Sequence, residues 1–278
     1  MSILEAIVLG AIEGVTEFLP VSSTGHLTIA EKLLGFNIDD ADVTAFTAII
    51  QIGAVAAVVI FFWEELRGIV TSLAAGLTDA NKRATPEFKF GFAVAVGSIP
   101  IAIAGLIFKD EIEGPLRSLW VVGAALILWS AVMYVADRSA SQRRGEDQFN
   151  LRDGLAMGIT QCVALIPGVS RSGATIAAGL FRDLDRVTVT RMSFFLAIPA
   201  LVAAGVFEGV TEYSDISEGI GWGPTLVALA VSFVVAYASV AWLLRYVARH
   251  SFGVFILYRV ALGVVVLALV ATGATSAT

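Results

Sequence analysis

Glu13 and Glu17 lie four residues apart in the run Glu13-Gly-Val-Thr-Glu17-Phe-Leu-Pro20-Val-Ser22-Ser23-Thr24-Gly25-His26, within an otherwise apolar N-terminal stretch. That spacing puts both carboxylates on one face of a helix. Carboxylates in hydrophobic surroundings need a cation, a metal or water, and hard oxygen donors suit Mg²⁺ or Ca²⁺. The pair reads as a divalent-metal site, or as one metal ligand and one general base, with ordinary interfacial charges as the plainer alternative. Ser22, Ser23, Thr24 and Gly25 follow a proline and precede an apolar run, which is how a helix begins. Free N–H groups at such an end hold anions, although serines there often serve as caps alone. His26, one of two histidines, stands beside these hydroxyls and suits a general acid/base or a nucleophile.

A second polar interruption, Pro167-Gly-Val-Ser170-Arg171-Ser172-Gly173-Ala-Thr175, repeats the hydroxyl and glycine chemistry with an arginine added. A guanidinium at bilayer depth costs at least ~2.5 kcal/mol and must be paired. Its planar fork matches phosphate oxygens bidentately. The plainer alternative is an ion pair of Arg171 with Glu13 or Glu17, which is compatible with catalysis.

Composition sets the medium in which these residues work. The chain of 278 residues is 57% hydrophobic and 15% charged, with a mean hydropathy of +0.84, far from the balance of a soluble domain. It reads as an all-α integral membrane protein. A net charge of −6 without long basic runs excludes a nucleic-acid footprint, and a single Cys162 excludes an intramolecular disulfide and cysteine-based zinc patterns. An N-terminus with Glu5 and Glu13 and no early Lys or Arg does not read as a signal peptide, so the first segment is expected to persist.

Spans of about 20 apolar residues are expected at Val43–Trp63, Phe90–Phe108, Leu119–Asp137, Arg191–Val210, Gly223–Leu244 and Phe252–Ala271. The polar stretches break two further segments, Ile3–Phe36 and Leu151–Leu184, each expected to be a re-entrant helix-turn-helix hairpin around a cavity. An ungapped shift of 148 residues superposes Gly10 on Gly158, Glu13 on Gln161, Ser22 on Ser170 and Gly25 on Gly173. Residues 1–278 thus form a single membrane domain of two halves, about 1–138 and 151–278, joined by a cytoplasmic linker, 139–150. Each half holds one hairpin and three spans. An odd number of crossings inverts one half against the other, and inverted repeats place broken segments face to face near the midplane.

The loops support one orientation. Lys32, Lys109 and Arg117 fall on one side with the acidic Glu208–Glu218 loop, whereas Arg67, Lys82, Arg83, Lys89, Arg138, Arg143, Arg144, Arg152, Arg182, Arg186, Arg191, Arg245 and Arg249 fall on the other. The positive-inside rule then places both termini and the first hairpin's opening outside. Among the remaining polar residues, Gln51 and Gln161 read as interhelical hydrogen-bonding groups, and Asp153 and Arg152 as residues at the mouth of the second hairpin. Arg259 reads as a structural or a second binding cation, and Gly10 and Gly14 as a close-packing pair.

The two polar motifs closely resemble the signature regions of the bacterial undecaprenyl-diphosphate phosphatases, the bacitracin-resistance family: Glu-x-x-x-Glu with a Ser- and His-bearing loop, and Pro-Gly-x-Ser-Arg-Ser-x-x-Thr. Both match without departure, and the likeness extends over essentially the whole chain. The resemblance implies a plasma-membrane phosphatase that hydrolyses the C55 isoprenoid diphosphate with a divalent cation, on the extracytoplasmic face, and so recycles the cell-wall lipid carrier. It implies Glu13, Glu17, Ser23, His26 and Arg171 as the catalytic and metal-binding set. Ser22, Thr24, Gly25, Ser170, Ser172, Gly173 and Thr175 would line the phosphate site. Its partners are a polyprenyl diphosphate and membrane lipids, with no nucleic acid, and a homodimer is compatible with it. The attacking atom stays open between Ser23 Oγ and His26. An acid-phosphatase-type lipid phosphatase would want a histidine where Ala177 stands. A lipid or anion transporter of inverted-repeat architecture is the rival outside enzymology.

Overall fold

A computed structural model describes residues 1–38, 40–108, 111–112, 115–211 and 213–276, without the side chains of residues 115, 207–211 and 213–215. Lys109 and Glu212, with the side chain of Glu208, lie outside the described residues, so that part of the charge pattern has no structural counterpart. The described helices are α1 Ile3–Thr16, α2 Ser23–Leu33, α3 Ala41–Phe61, α4 Trp63–Thr78, α5 Pro86–Ile107, α6 Leu119–Ser139, α7 Leu151–Gln161, α8 Arg171–Leu180, α9 Arg186–Thr211, α10 Tyr213–Glu218, α11 Trp222–Val247 and α12 Gly253–Ala271. Six are long and apolar enough to cross a membrane: α3, α5, α6, α9, α11 and α12. The protein is an all-α, multi-pass membrane protein.

The expected spans recur with shifted ends. The first stops at Phe61, because Phe62 leaves helical geometry (φ −105°, ψ 24°), and Trp63 opens the separate helix α4, which the sequence reading missed. Helix α4 buries little besides Gly76 and packs on α5. The broken segments are helix-turn-helix units. At 1.5 Å per residue, α1, α2, α7 and α8 are each only about 15–21 Å long, too short for a 30 Å hydrocarbon layer. Matching signals start the two units: Ser2 with Glu5, and Asn150 with Asp153, form capping boxes at α1 and α7.

Each hairpin packs against the opposite half of the chain, α1 on α11 and α7 on α5. Glycine makes both contacts. A Cβ on Gly10 would stand 2.4 Å from the Ala228 carbonyl oxygen, and one on Gly158 would stand 1.8 Å from that of Gly97. Neither backbone can withdraw from such a contact without moving a helix. Gly158→Ala is therefore expected to destabilise the fold by about 1–3 kcal/mol through overpacking; a melting curve in detergent that matches the parent would contradict the α5–α7 contact.

The end of the molecule around the linker is fastened by ions. Asp153 pairs with Arg182 and, at 2.5 Å, with Arg144; Asp137 binds Arg186 at 2.7 Å; Arg191 binds Glu65 and Glu146 at 2.5 and 2.8 Å. Asp153, considered above as a residue at the hairpin mouth, is fully buried in this network. Outside the spans, hydrogen bonds from Ser141 hold the Asp183 carboxyl below the usual carboxylate range, and the bond to Asp153 raises the Arg144 guanidinium.

Candidate active site

Two strained serines position the site. Ser22 and Ser170 have φ of 78° and 75°, a region L-residues occupy at a cost of about 1–3 kcal/mol and mostly at functional sites. Each caps the helix that follows, Ser22 Oγ accepting from Gly25 N at 3.4 Å and Ser170 Oγ from Gly173 N at 3.1 Å. The two serines, 148 residues apart, thus share a backbone conformation and a capping bond. Their turns also touch, since Ser172 Oγ donates to the Leu19 carbonyl at 2.9 Å.

At the junction Glu17 joins both motifs. Its Oε1 accepts from Arg171 Nη2 at 2.5 Å, and its Oε2 accepts from Ser23 Oγ at 2.5 Å. The ion-pair alternative for Arg171 is thus realised, with Glu17 as the partner. Arg171 Nη1 also donates to the Ala197 carbonyl at 3.4 Å, near Pro199 within α9. Glu17, Ser22, Ser23, Thr24, Ser170 and Arg171 line one cavity of about 540 Å³, together with Gln51. Its remaining wall is apolar and comes chiefly from Ile101, Ala102 and Leu106 of α5 and Ala200, Leu201 and Ala204 of α9. A polar floor under an apolar wall suits an amphiphile with an anionic head.

Glu13 lies one turn back, 1% exposed, and both its carboxylate oxygens lack a hydrogen-bond partner. Gln161, its counterpart at the end of α7, is also buried with both side-chain polar atoms unpartnered, so the expected interhelical hydrogen bond is absent there. Ser172 and Thr175 are buried, and the Thr175 hydroxyl is spent on the Arg171 and Ser172 carbonyls at 3.0 and 3.2 Å. Gly25 and Gly173 contribute the capped amides.

His26 is held away from Ser23. Its Nδ1 lies 2.7 Å from the Ser22 carbonyl and its Nε2 lies 2.6 Å from Tyr258 Oη. A carbonyl accepts, so Nδ1 carries the proton, and in the neutral ring Nε2 accepts from the phenol. A pairing in which His26 takes the Ser23 proton is therefore not the arrangement present; Glu17 occupies that place. Tyr258 went unnoticed in the sequence because a tyrosine in an apolar helix carries no signal. Arg259 beside it was noticed as an intramembrane charge, and it is fully buried, binding backbone carbonyls of both turns.

The family described as bacitracin resistance protein BacA matches residues 6–265. Undecaprenyl-diphosphatase 3 of Frankia casuarinae is 59% identical over 278 residues, covering all of both chains. Undecaprenyl-diphosphatase of Cutibacterium acnes is 51% identical over 284 residues, again covering both chains in full. Undecaprenyl-diphosphatase 1 of Streptomyces avermitilis is 50% identical over 273 residues and 98% of each chain. With the match spanning all but the ends of the chain, this protein belongs to the bacitracin resistance protein BacA family.

Proposed function

We propose that this chain hydrolyses undecaprenyl diphosphate to undecaprenyl phosphate and inorganic phosphate, returning the lipid carrier of cell-wall precursors to use. The observation that carries the reading is the continuous chain Arg171–Glu17–Ser23 across the two turns, at the polar end of an otherwise apolar cavity. Ser23 Oγ attacks the terminal phosphorus while its proton passes to Glu17 Oε2. The bond to the bridging oxygen breaks, undecaprenyl phosphate departs, and water later releases phosphate from the serine. Arg171 and the amides at the starts of α2 and α8 hold the phosphoryl oxygens, since such transfers are catalysed mainly by positioning and charge. His26 fixes the first turn through Ser22 and Tyr258.

A divalent cation fits beside Glu13 and Glu17. An ionised carboxylate buried without hydrogen bonds needs a counter-charge, and both Glu13 oxygens are buried without a partner. Among the described residues no three His, Cys, Asp or Glu gather into a ready-made cage, so Mg²⁺ or Ca²⁺ would share its coordination with substrate oxygens and water. When bound, the ion supplies positive charge to the phosphoryl group.

We read the halves, about 1–138 and 151–278, as inverted around the linker 139–150, with both termini and the cavity mouth extracytoplasmic. Supporting this, Lys32 of α2 donates to Ser276 near the C-terminus at 3.3 Å. Ile112, from the α5–α6 connection on that side, lines the cavity.

Purified protein in detergent is expected to release phosphate from undecaprenyl diphosphate, to fall at least about tenfold with a chelator, and to recover with Mg²⁺ or Ca²⁺. No release under any metal would leave the rival transporter, which needs no Ser–Glu–Arg chain at its anion site.

A further inference from the structure

Arg259 on α12 is fully buried. Its Nε donates to Ser130 Oγ at 3.1 Å, Nη1 to the Pro20 carbonyl at 3.4 Å, and Nη2 to the Gly168 and Val169 carbonyls at 3.0 and 2.9 Å. All four acceptors are neutral. A charge kept in the interior with neutral partners is expensive, so its placement calls for a geometric reason. The acceptors supply one. Pro20 and Gly168 are counterparts at the 148-residue offset, and each stands two residues before a positive-φ serine, Ser22 or Ser170. These carbonyls belong to turns and have no place in a helical ladder, yet they are buried and must be satisfied. One planar fork reaches both at once.

We propose that Arg259 is a positioning residue that clamps the two turns in one register, so that Ser23 and Arg171 meet at Glu17. The clamp is anchored in α6, where Ser130 Oγ passes the chain on to the Leu126 carbonyl at 2.6 Å. The neighbouring Tyr258 holds the first turn from the same helix through His26. Lysine cannot replace the fork, because an ammonium is a point donor that reaches one turn or the other. The proposal rests on the phosphatase reading for its kinetic arm and on distances alone for its second arm.

Arg259→Lys keeps the buried charge and serves as the test. Per folded molecule, kcat for phosphate release is expected to fall about 100-fold, the effect of an ångström-scale misplacement, with KM within about threefold. Spin labels at Leu33→Cys and Phe181→Cys in a Cys162→Ser background, near the exposed ends of α2 and α8, should give a single narrow distance in the parent and a broadened or displaced one with Arg259→Lys. Unchanged kcat, or lost activity with unchanged label distances, would overturn the clamp. Should Arg259→Lys not fold, Ser130→Ala removes one anchor and leaves the guanidinium; it is expected to broaden the same distance and lower kcat about tenfold, and parental values for both would overturn the proposal. If the parent releases no phosphate while the distances respond to Arg259→Lys, the phosphatase reading fails and the clamp stands.

Discussion

Arg171→Lys is expected to lower phosphate release from undecaprenyl diphosphate by about 10²–10³-fold, the range for losing a charged or oxyanion-stabilising contact at a transferring phosphoryl group. The lysine retains a charge near Glu17, whose Oε1 holds the arginine at 2.5 Å, so the fold is expected to survive. It loses the fork that could hold Glu17 and a phosphoryl oxygen together. Arg171→Ala is the harsher variant. It strands a carboxylate that is 5% exposed, and breaking a buried pair costs about 3–5 kcal/mol, so its inactivity could reflect unfolding. Measured per folded molecule, near-parental turnover of Arg171→Lys would remove the arginine from the chemistry.

Ser23→Ala is expected to reduce turnover by at least about 10³-fold, since no other group can replace the attacking atom. Glu17→Gln should lose about 10²–10⁴-fold through the missing proton acceptor. The two losses should not add, because Ser23 Oγ and Glu17 Oε2, 2.5 Å apart, act as one unit. The decisive measurement is the chemistry of trapped label. Phosphate quenched on the enzyme from labelled substrate should survive acid, as a serine ester does, and vanish in Ser23→Ala. An acid-labile label that persists in Ser23→Ala would move the attack to His26 and refute the assignment.

Much of this arrangement was legible in the sequence, because membranes make polarity conspicuous. A Glu, a Ser run and an Arg inside apolar segments have few bland explanations, and the 148-residue offset paired the turns whose serines share the same left-handed backbone. The six spans could be read because length and hydropathy decide them. Helix α4 was hidden since its first residue, Trp63, extends the apolar span before it, and the backbone break at Phe62 leaves no compositional mark. The partner of Ser23 was hidden for a different reason. Proximity along the chain favoured His26, three residues on, whereas the turn carries that ring towards Tyr258 and brings Glu17, six residues back, to the hydroxyl. Hydrogen bonds across a turn depend on backbone direction, which residue types do not state.

The packing of each hairpin on the far half of the chain has a consequence for synthesis. Gly10 of α1 rests on Ala228 of α11, so the first hairpin is made roughly 200 residues before the surface that buries it, which at 5–20 residues per second is about 10–40 s. Throughout that interval the face of α1 that carries Gly10 and Gly14 lacks its partner helix and must be sheltered by the insertion machinery or remain at the headgroup level. The second hairpin meets no such delay, since α5 already exists when α7 emerges. A nascent chain halted before Trp222 should therefore expose its first hairpin to proteases, or to a thiol reagent at a cysteine introduced there in a Cys162→Ser background, while the second is already protected, and the catalytic centre is completed only when the last helices arrive.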